Sequence, residues 1–203
     1  MLTPFGIEIK DASLCPPSVR KAAICLLSEL VGEYCEEAWV ARGSVRAVAL
    51  RGDTVAGAAI GTIANHADLD YFLSSARSNV SESNGKTARE ILERVESSLV
   101  VGDMFALGVS PDFRGLDLGS KLVRFREQSF RERSATSVIA ESWVNPIDSK
   151  SASIYRSLGY VQVASVPRYW LKADTNSPNN GIRGCPSCGQ TCECDAYLFA
   201  KLI

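Results

Sequence analysis

The stretch that decides the fold runs from residue 106 to residue 121 and reads Ala106-Leu-Gly-Val-Ser-Pro-Asp-Phe-Arg-Gly-Leu-Asp-Leu-Gly-Ser-Lys121. An apolar strand leads into a short loop that contains glycine, and the loop opens a helix. The first backbone N–H groups of a helix have no partner within it and lie at the positive end of its dipole, so they bind phosphate. Gly115 and Gly119 allow the backbone to approach a pyrophosphate closely, and Arg114 adds a positive charge. The stretch therefore predicts a phosphate-binding turn between a strand and a helix.

Two other phosphate-binding motifs do not fit this sequence. Gly85-Lys86-Thr87 ends like a P-loop, but Val80 stands where that motif needs its first glycine, and no buried strand precedes it. A dinucleotide-binding fingerprint is not expected either, because it would follow an early strand, with an acidic residue about 20 residues further on. The turn at residues 110–120 remains the candidate phosphate site.

Composition is that of an ordinary globular chain. The 203 residues are 46% hydrophobic and 22% charged, enough to bury a substantial core as one large domain or two small ones. The net charge of −1, from 22 basic and 23 acidic residues, gives no bulk attraction to nucleic acid or to an anionic membrane. No apolar run approaches the roughly 18 residues that span a bilayer, and the N-terminus lacks the features of a secretory signal. We therefore expect a cytoplasmic protein that binds neither nucleic acid nor membrane.

Helical and strand periodicities alternate on both sides of the quoted stretch. Strands are predicted over residues 6–10, 45–50, 55–64, 104–109, 138–144, 160–171 and 196–203. Helices are predicted over residues 19–40, 88–95, 118–133 and 151–158, with a helix and a loose polar loop over 66–87. Gly57 and Gly61, in the second strand of a hairpin, indicate bulges or the close approach of another backbone. The pattern predicts an α/β fold.

A second motif lies downstream of the loop. The segment Val109-Ser-Pro-Asp-Phe-Arg114-Gly115-Leu-Asp117-Leu-Gly119-Ser120 is followed by a strand and then by Ser151-Ala-Ser-Ile-Tyr155-Arg-Ser-Leu-Gly159-Tyr160. In this order, the two segments resemble the pyrophosphate loop and the tyrosine-bearing helix of the GNAT superfamily of acetyl-CoA-dependent N-acetyltransferases. The resemblance covers roughly residues 6–171 and the last strand. It implies a mixed, mostly antiparallel central sheet flanked by helices, in a single domain of residues 1–203.

The resemblance also implies roles for individual residues toward acetyl-CoA. The backbone of Leu107, Gly108 and Val109 would pair with the pantetheine arm, as an added strand pairs with a sheet edge. Tyr155 would lie near the thioester sulfur and act as general acid to the leaving thiolate; the alternative is a half-buried aromatic residue of an amphipathic helix. The pyrophosphate would be held by backbone N–H groups of Arg114, Gly115, Leu116, Asp117, Leu118, Gly119 and Ser120. Asp148 and Ser151, around the second motif, complete the predicted cofactor-binding set.

The sequence departs from the family pattern at two positions. Asp117 stands where the loop usually has its first glycine, which places a carboxylate near the pyrophosphate site. Asp148 stands at the usual asparagine position, seven residues before Tyr155, while Asn145 lies three residues earlier. The first change either weakens CoA binding or turns the side chain outward, and the second shifts a pantetheine contact. Neither removes the backbone donors.

Transfer to an amine requires a group that accepts the amine's proton, directly or through water. Asp103, at the start of the central strand, and Glu141, in the following strand, are the candidates, although an acid in such a position is more often a salt-bridge partner than a base. Alternation places Glu141 on the face of Ile139 and Trp143, and that face could be a cleft or covered by a helix. His66, the only histidine, follows the hairpin in a polar loop and is most simply solvated.

Four cysteines lie within ten residues near the C-terminus: Cys185, Cys188, Cys192 and Cys194. They fall in residues 174–195, a long connection inside the C-terminal hairpin, and a Zn²⁺ held by four thiolates would order it. Such a set leaves no open position, so the predicted zinc is structural. An iron–sulfur centre, a redox dithiol and free thiols are alternatives, because the spacings are tighter than in a two-knuckle ribbon. The dispersed Cys15, Cys25 and Cys35 are expected to be inert.

The sequence thus predicts an N-acetyltransferase in which a primary amine attacks the thioester directly within a ternary complex. No cysteine lies in the CoA motifs, so an acyl-cysteine route has no support. A non-enzymatic acyl-CoA-binding or regulatory module with a zinc-stabilised protein-interaction loop is the alternative. A zinc-dependent nucleic-acid binder would need a basic face that the composition does not offer. The acceptor is a small-molecule or peptide amine; Tyr169 and Trp170 line its site or belong to the core, and paired sheet edges would allow a homodimer.

Overall fold

The computed structural model describes residues 6–41, 44–80, 85–144, 150–169 and 194–203 of the chain. Within these ranges the strands are β1 (Ile7–Asp11), β2 (Val45–Arg51), β3 (Thr54–Ile63), β4 (Val101–Val109), β5 (Ser137–Val144), β6 (Val161–Val166) and β7 (Asp195–Leu202). The helices are α1 (Pro17–Leu30), α2 (Tyr34–Val40), α3 (His66–Ser78), α4 (Gly85–Glu96), α5 (Leu118–Arg131) and α6 (Lys150–Ser157). No helix in the described ranges is long and apolar enough to cross a membrane.

The strands form one sheet in the order β1-β2-β3-β4-β5-β7-β6. The pairs β1–β2, β2–β3, β5–β7 and β6–β7 are antiparallel, and β4 pairs with β5 in parallel. This confirms the predicted mixed, mostly antiparallel sheet flanked by helices. The predicted cysteine-rich insertion lies outside the described residues except for its last two positions, Cys194 and Asp195.

The chain divides into two compact units. The first unit contains Met1–Thr62 and Met104–Arg133. Its strands carry small and branched side chains on both faces, because helices cover both faces. On one face, α1 and α2 bury Ala23, Leu27, Cys35 and Trp39 against Val48, Leu50, Ala58 and Ile60. On the other, α5 buries Leu118 and Leu122 against Ile7, Ile9, Ala47 and Ala49.

The second unit contains Ile63–Asp103 and Ser134–Ile203. Helices α3 and α4 cover one face of its strands, with Phe72, Leu92 and Val95 packed against Ile139, Val163 and Leu198. Helix α6 lies on the opposite face, where the Ser151 hydroxyl is 2.7 Å from that of the fully buried Ser142. Side chains alternate along β5. Between residues 137 and 143, the odd-numbered ones therefore face α3 and α4, and the even-numbered ones face α6.

The first predicted helix, over residues 19–40, is wrong in one respect, because the structure has two helices there. Helix α1 ends at Leu30 and α2 begins at Tyr34, with Gly32 between them at φ = 146°. That backbone conformation favours glycine and cannot continue a helix. The apolar period continues across the break, which is why periodicity alone does not reveal it.

Replacing Gly32 with alanine should lower the free energy of unfolding by about 1–2 kcal/mol, the usual strain of a non-glycine residue in such a conformation. A Cβ atom at this position would also lie 2.6 Å from Cε1 of Tyr34. Urea denaturation measures the change. Gly85→Ala is the matched control, since a Cβ there has nothing within 4 Å; equal stability of the two variants would contradict the prediction.

Two further boundaries differ from the predictions. His66 is the first residue of α3 rather than part of a loop, because the Asn65 side chain caps that helix by accepting from the Asp68 N–H at 2.9 Å. Strand β6 ends at Val166, short of the predicted residue 171, because Arg168 has φ = 50° and turns the chain. The Arg168 N–H donates to the Asp195 carboxylate at 3.1 Å, which closes that turn.

Candidate functional site

The turn between β4 and α5 leaves the start of α5 without a side-chain cap. After Val109, the Phe113 N–H donates to the Ser110 carbonyl at 2.9 Å, and α5 begins at Leu118. The Lys121 N–H donates to the Asp117 carbonyl at 3.2 Å, while the Asp117 side chain makes no capping hydrogen bond. The first-turn donors of α5, which have no acceptor inside the helix, are therefore available to a ligand.

Asp117 adopts a left-handed backbone conformation, which accounts for the glycine usual at this position in the family pattern. Its φ of 57° and ψ of 24° are left-handed, and Gly115 two residues earlier has φ = 80°. Aspartate tolerates this region better than most residues, so the turn keeps its shape without the glycine. The Asp117 side chain is exposed. Its carboxylate is therefore exposed at the start of α5 and makes no capping hydrogen bond there.

Apolar contacts and one ammonium group hold this turn. Phe113 and Leu116 pack, with Leu107 and Val109, against the cluster of α5, β1 and β2 in the first unit. The Lys121 Nζ donates to the Leu116 carbonyl at 3.2 Å, which brings a positive charge to the turn. Lys121 is not among the site residues predicted from the sequence, although it lies one helical turn after Asp117 on the predicted helix. Arg114 is exposed at the same turn.

Two glycines allow close packing around the second half of β4. At its start, Val101, Gly102 and Asp103 pair in parallel with Ser137, Val138 and Ile139 of β5. A Cβ atom at Gly108 would lie 3.2 and 3.3 Å from methyl groups of Leu30 and Leu27, so this glycine lets α1 pack closely on β4. A Cβ at Gly57 would lie 3.1 Å from the Gly108 carbonyl oxygen, which confirms the predicted close backbone approach at Gly57.

In the second unit, Tyr155 on α6 belongs to a buried aromatic cluster. Its side chain is 4% exposed, with its ring centroid 5.0 Å from that of Tyr160 and 5.5 Å from that of Phe199. One turn before Tyr155 on the same helix, the Ser151 hydroxyl forms a hydrogen bond with the hydroxyl of Ser142 on β5. The register Ala140↔Phe199 places this cluster on the face of the even-numbered residues of β5.

The two carboxylates lie together on the other face. Asp103 pairs in register with Ile139, and Glu141 is two residues after Ile139. Both side chains therefore lie on the face of α3 and α4. Asp103 is buried, at 9% exposure, while Glu141 is partly exposed and accepts a hydrogen bond from the hydroxyl of Tyr169. The structure thus brings Asp103 and Glu141 to one face and Tyr155 to the opposite face of the second unit.

Tyr169 is a candidate residue for which the sequence allows two roles, in the acceptor site or in the core. It is fully buried, and its ring centroid is 5.4 Å from that of Tyr71 on α3. It therefore belongs to the core, yet its hydroxyl contacts Glu141. Trp170, the next residue in the chain and the other one predicted for the acceptor site or the core, lies outside the described residues.

Several other predicted site residues also lie outside the described ranges, namely Asp148, Cys185, Cys188 and Cys192. Cys194 is described and is buried. Among the described residues, no group of three or more His, Cys, Asp or Glu side chains could hold a metal ion. Burial raises the pKa of the Cys35 thiol to about 12 and also raises that of Cys15, which fits the prediction that these two are inert.

The chain is similar to known proteins in part of its sequence and in its fold. Residues 83–171 match the family described as FR47-like protein. The fold is similar to that of an agmatine N-acetyltransferase in its apo form, at 16% identity and a TM-score of 0.63, over 97% of this chain and 99% of that one. A polyamine N-acetyltransferase of Drosophila melanogaster matches at 17% identity and a TM-score of 0.62, over 97% and 100%. The ribosomal-protein-S18-alanine N-acetyltransferase of Escherichia coli matches at 14% and 0.57, over 97% and 94%. No curated protein sequence matches the chain.

Proposed function

We propose that this chain, whose fold is similar to that of N-acetyltransferases and whose motifs resemble those of the GNAT superfamily, transfers an acetyl group from acetyl-CoA to the nitrogen of a primary amine. The observation that carries this proposal is the turn between β4 and α5, with its uncapped helix start and its left-handed residue at Asp117. A helix start of this kind favours a pyrophosphate through N–H donors and dipole. Residues Arg114 to Ser120 are its proposed ligands, with Lys121 adding charge.

The pantetheine arm is proposed to bind along β4. Its amides would pair with the backbone of Leu107, Gly108 and Val109, as an extended peptide pairs with a free sheet edge. Ser151 and Asp148 are proposed as further contacts near the same arm.

The proposed chemistry is direct attack by the amine within a ternary complex. The amine nitrogen forms a bond to the thioester carbonyl carbon, and the carbon–sulfur bond of the resulting tetrahedral intermediate breaks. Tyr155 donates its phenolic proton to the leaving thiolate, and a carboxylate on the opposite face of the second unit accepts, through bridging water, the proton that the amine loses. The products are an amide and free CoA, and the balance needs no covalent enzyme intermediate.

Glu141 is the proposed base, with Asp103 as the second candidate. Glu141 is partly exposed, so an amine or a bridging water can reach its carboxylate, whereas Asp103 is buried within the β4–β5 ladder. The hydroxyl of Tyr169 fixes the orientation of the Glu141 carboxylate. A base must be held in place to accept a proton efficiently.

The acceptor is proposed to be a small cationic amine. Two carboxylates on one face favour a substrate that carries positive charge, and the similar structures include enzymes described as acting on agmatine and polyamines. A peptide amine is the other candidate, as for the S18-alanine enzyme of E. coli. A panel of agmatine, spermidine and an alanyl peptide distinguishes the two.

Two further features are proposed from the sequence alone. Residues 1–203 act as one cytoplasmic N-acetyltransferase domain, and residues 174–195 form its zinc-stapled loop. Four cysteines at short spacing support the zinc site, and the buried Cys194, beside β7, fits a structural ligand. Metal content of purified wild-type protein and of Cys188→Ser tests it; equal, substoichiometric zinc in both excludes the site.

Titration calorimetry with acetyl-CoA, followed by assay on the amine panel, tests the proposed function. Micromolar binding with turnover supports the transferase. Binding without turnover on any amine supports the alternative, a non-enzymatic acyl-CoA-binding module. Absence of binding by folded protein contradicts both.

Replacing Asp117 with asparagine should tighten acetyl-CoA binding about three- to tenfold, because a unit charge near the pyrophosphate is worth about 1 kcal/mol in water-like surroundings. Asparagine also tolerates the left-handed conformation of Asp117. Asp117→Ala removes the same charge but strains the backbone, so it should gain less affinity and lose stability. Calorimetry at two salt concentrations measures the charge effect, which should shrink at high salt. Unchanged affinity in Asp117→Asn would place the pyrophosphate elsewhere.

A further inference from the structure

Arg126 carries a buried charge that the proposed chemistry does not use. It lies on α5, is fully buried in the first unit, and forms no ion pair with any described residue. Its Nη1 donates to the carbonyl oxygens of Ile60 on β3 at 2.9 Å and of Ala106 on β4 at 3.0 Å. Its Nη2 is buried and finds no acceptor among the described residues. Burying an unpaired guanidinium is expensive, so the two carbonyl contacts must matter to the fold or to a site.

The two carbonyls lie in a stretch where the register between β3 and β4 changes. The Ala64 N–H donates to the Val101 carbonyl at 2.9 Å, and the Ser110 N–H donates to the Ala56 carbonyl at 3.0 Å. Between these bonds β3 advances eight residues and β4 advances nine. Regular antiparallel strands advance equally, so β4 contains one extra residue, which is a β-bulge.

Arg126 donates to two backbone carbonyls within this irregular stretch of β3 and β4. Ile60 and Ala106 fall between the two flanking hydrogen bonds, and both of their carbonyls accept from the same nitrogen of Arg126. A planar guanidinium can bridge two carbonyls at fixed angles, whereas an ammonium group is a point donor without that geometry. Arg126 therefore fixes the position of β4 at Ala106.

We propose that Arg126 is a positioning residue for acetyl-CoA binding. By holding the bulge of β4 at Ala106, it lets residues 107–109, which directly follow Ala106, present their backbone to the pantetheine arm. This rests on the proposed function. Pairing with an extended ligand requires donors and acceptors at strand spacing, and displacement by about 1 Å weakens it strongly. The pyrophosphate turn lies further along the chain, where Phe113 and Leu116 pack against the cluster of α5, β1 and β2, so we expect it to keep its shape when Arg126 is replaced.

The test compares two ligands on Arg126→Lys and Arg126→Met. Acetyl-CoA engages both the pyrophosphate turn and β4, whereas 3′-phosphoadenosine 5′-diphosphate has no pantetheine and engages only the turn. We expect the variants to bind acetyl-CoA about tenfold more weakly or worse, with the nucleotide bound as in the wild type. Arg124→Met, at an exposed position on the same helix, is the control and should bind both ligands normally.

Each outcome decides between the proposals. Equal loss of both ligands would show that Arg126 only maintains the fold, and unchanged acetyl-CoA binding would remove its positioning role; either overturns the inference. If the wild type binds neither ligand, the proposed function fails first. Should Arg126→Met not fold, Arg126→Lys and Arg126→Gln, which each keep a donor, carry the comparison.

Discussion

Replacing Glu141 with glutamine should lower kcat/KM for the amine by about 10² to 10³, the usual contribution of a positioned general base. Glutamine keeps the carbonyl oxygen that can accept from the Tyr169 hydroxyl but cannot take a proton from the amine. The loss should shrink at high pH, where more of the amine is already neutral in solution. Steady-state kinetics with a saturating acetyl-CoA concentration across a pH series measures both effects.

Two companion variants separate Glu141 from its neighbours. Asp103→Asn removes the other carboxylate of the same face and should reduce kcat/KM by much less than Glu141→Gln does. Tyr169→Phe deletes only the hydroxyl that orients Glu141, so an intermediate loss in kcat of about tenfold is expected, with acetyl-CoA affinity unchanged. A larger loss in Asp103→Asn than in Glu141→Gln would transfer the role of base to Asp103.

Replacing Tyr155 with phenylalanine should lower kcat by about 10²-fold and leave the Kd for acetyl-CoA unchanged, because the leaving thiolate then lacks its proton donor. Phenylalanine preserves the ring contacts with Tyr160 and Phe199, so packing should change little. Stopped-assay turnover and titration calorimetry on the same preparation provide the two numbers.

Tyr160→Phe is the matched control for this experiment. Tyr160 is buried to the same extent as Tyr155, and the two rings are in contact. Loss of its hydroxyl should therefore produce the same packing disturbance without removing the acid. If the two variants lose equal activity, the effect belongs to the aromatic cluster, and Tyr155 is not the acid.

Some features follow from local sequence because short-range rules govern them. The turn at residues 110–120 and the start of α5 at Leu118 follow from Pro, Gly and the onset of apolar periodicity. Gly159, predicted to end a helix, has φ = 80°, just after α6. The alternation that places Glu141 with Ile139 is also local, since strand side chains alternate regardless of partners.

Other features needed the tertiary structure. The break at Gly32 is invisible to periodicity, because apolar residues continue at helical spacing on both sides. That α3 and α4 cover the Glu141 face, and that Asp103 joins it there, depends on which strands pair and in which register. The bond from Tyr169 to Glu141 spans 28 residues, and the Arg126 contacts reach two strands distant in sequence.

The sequence by itself determined most of the strands and helices and the glycine-bearing turn before α5, because helix starts, glycine conformations and side-chain alternation depend on near neighbours in the chain. Only the tertiary structure decided that Tyr155 lies on the face opposite the two carboxylates, that Tyr169 orients Glu141, and that Arg126 holds a bulge in β4. Those facts depend on strand order, register and the packing of distant segments, and residue spacing along the chain does not encode which distant groups will meet.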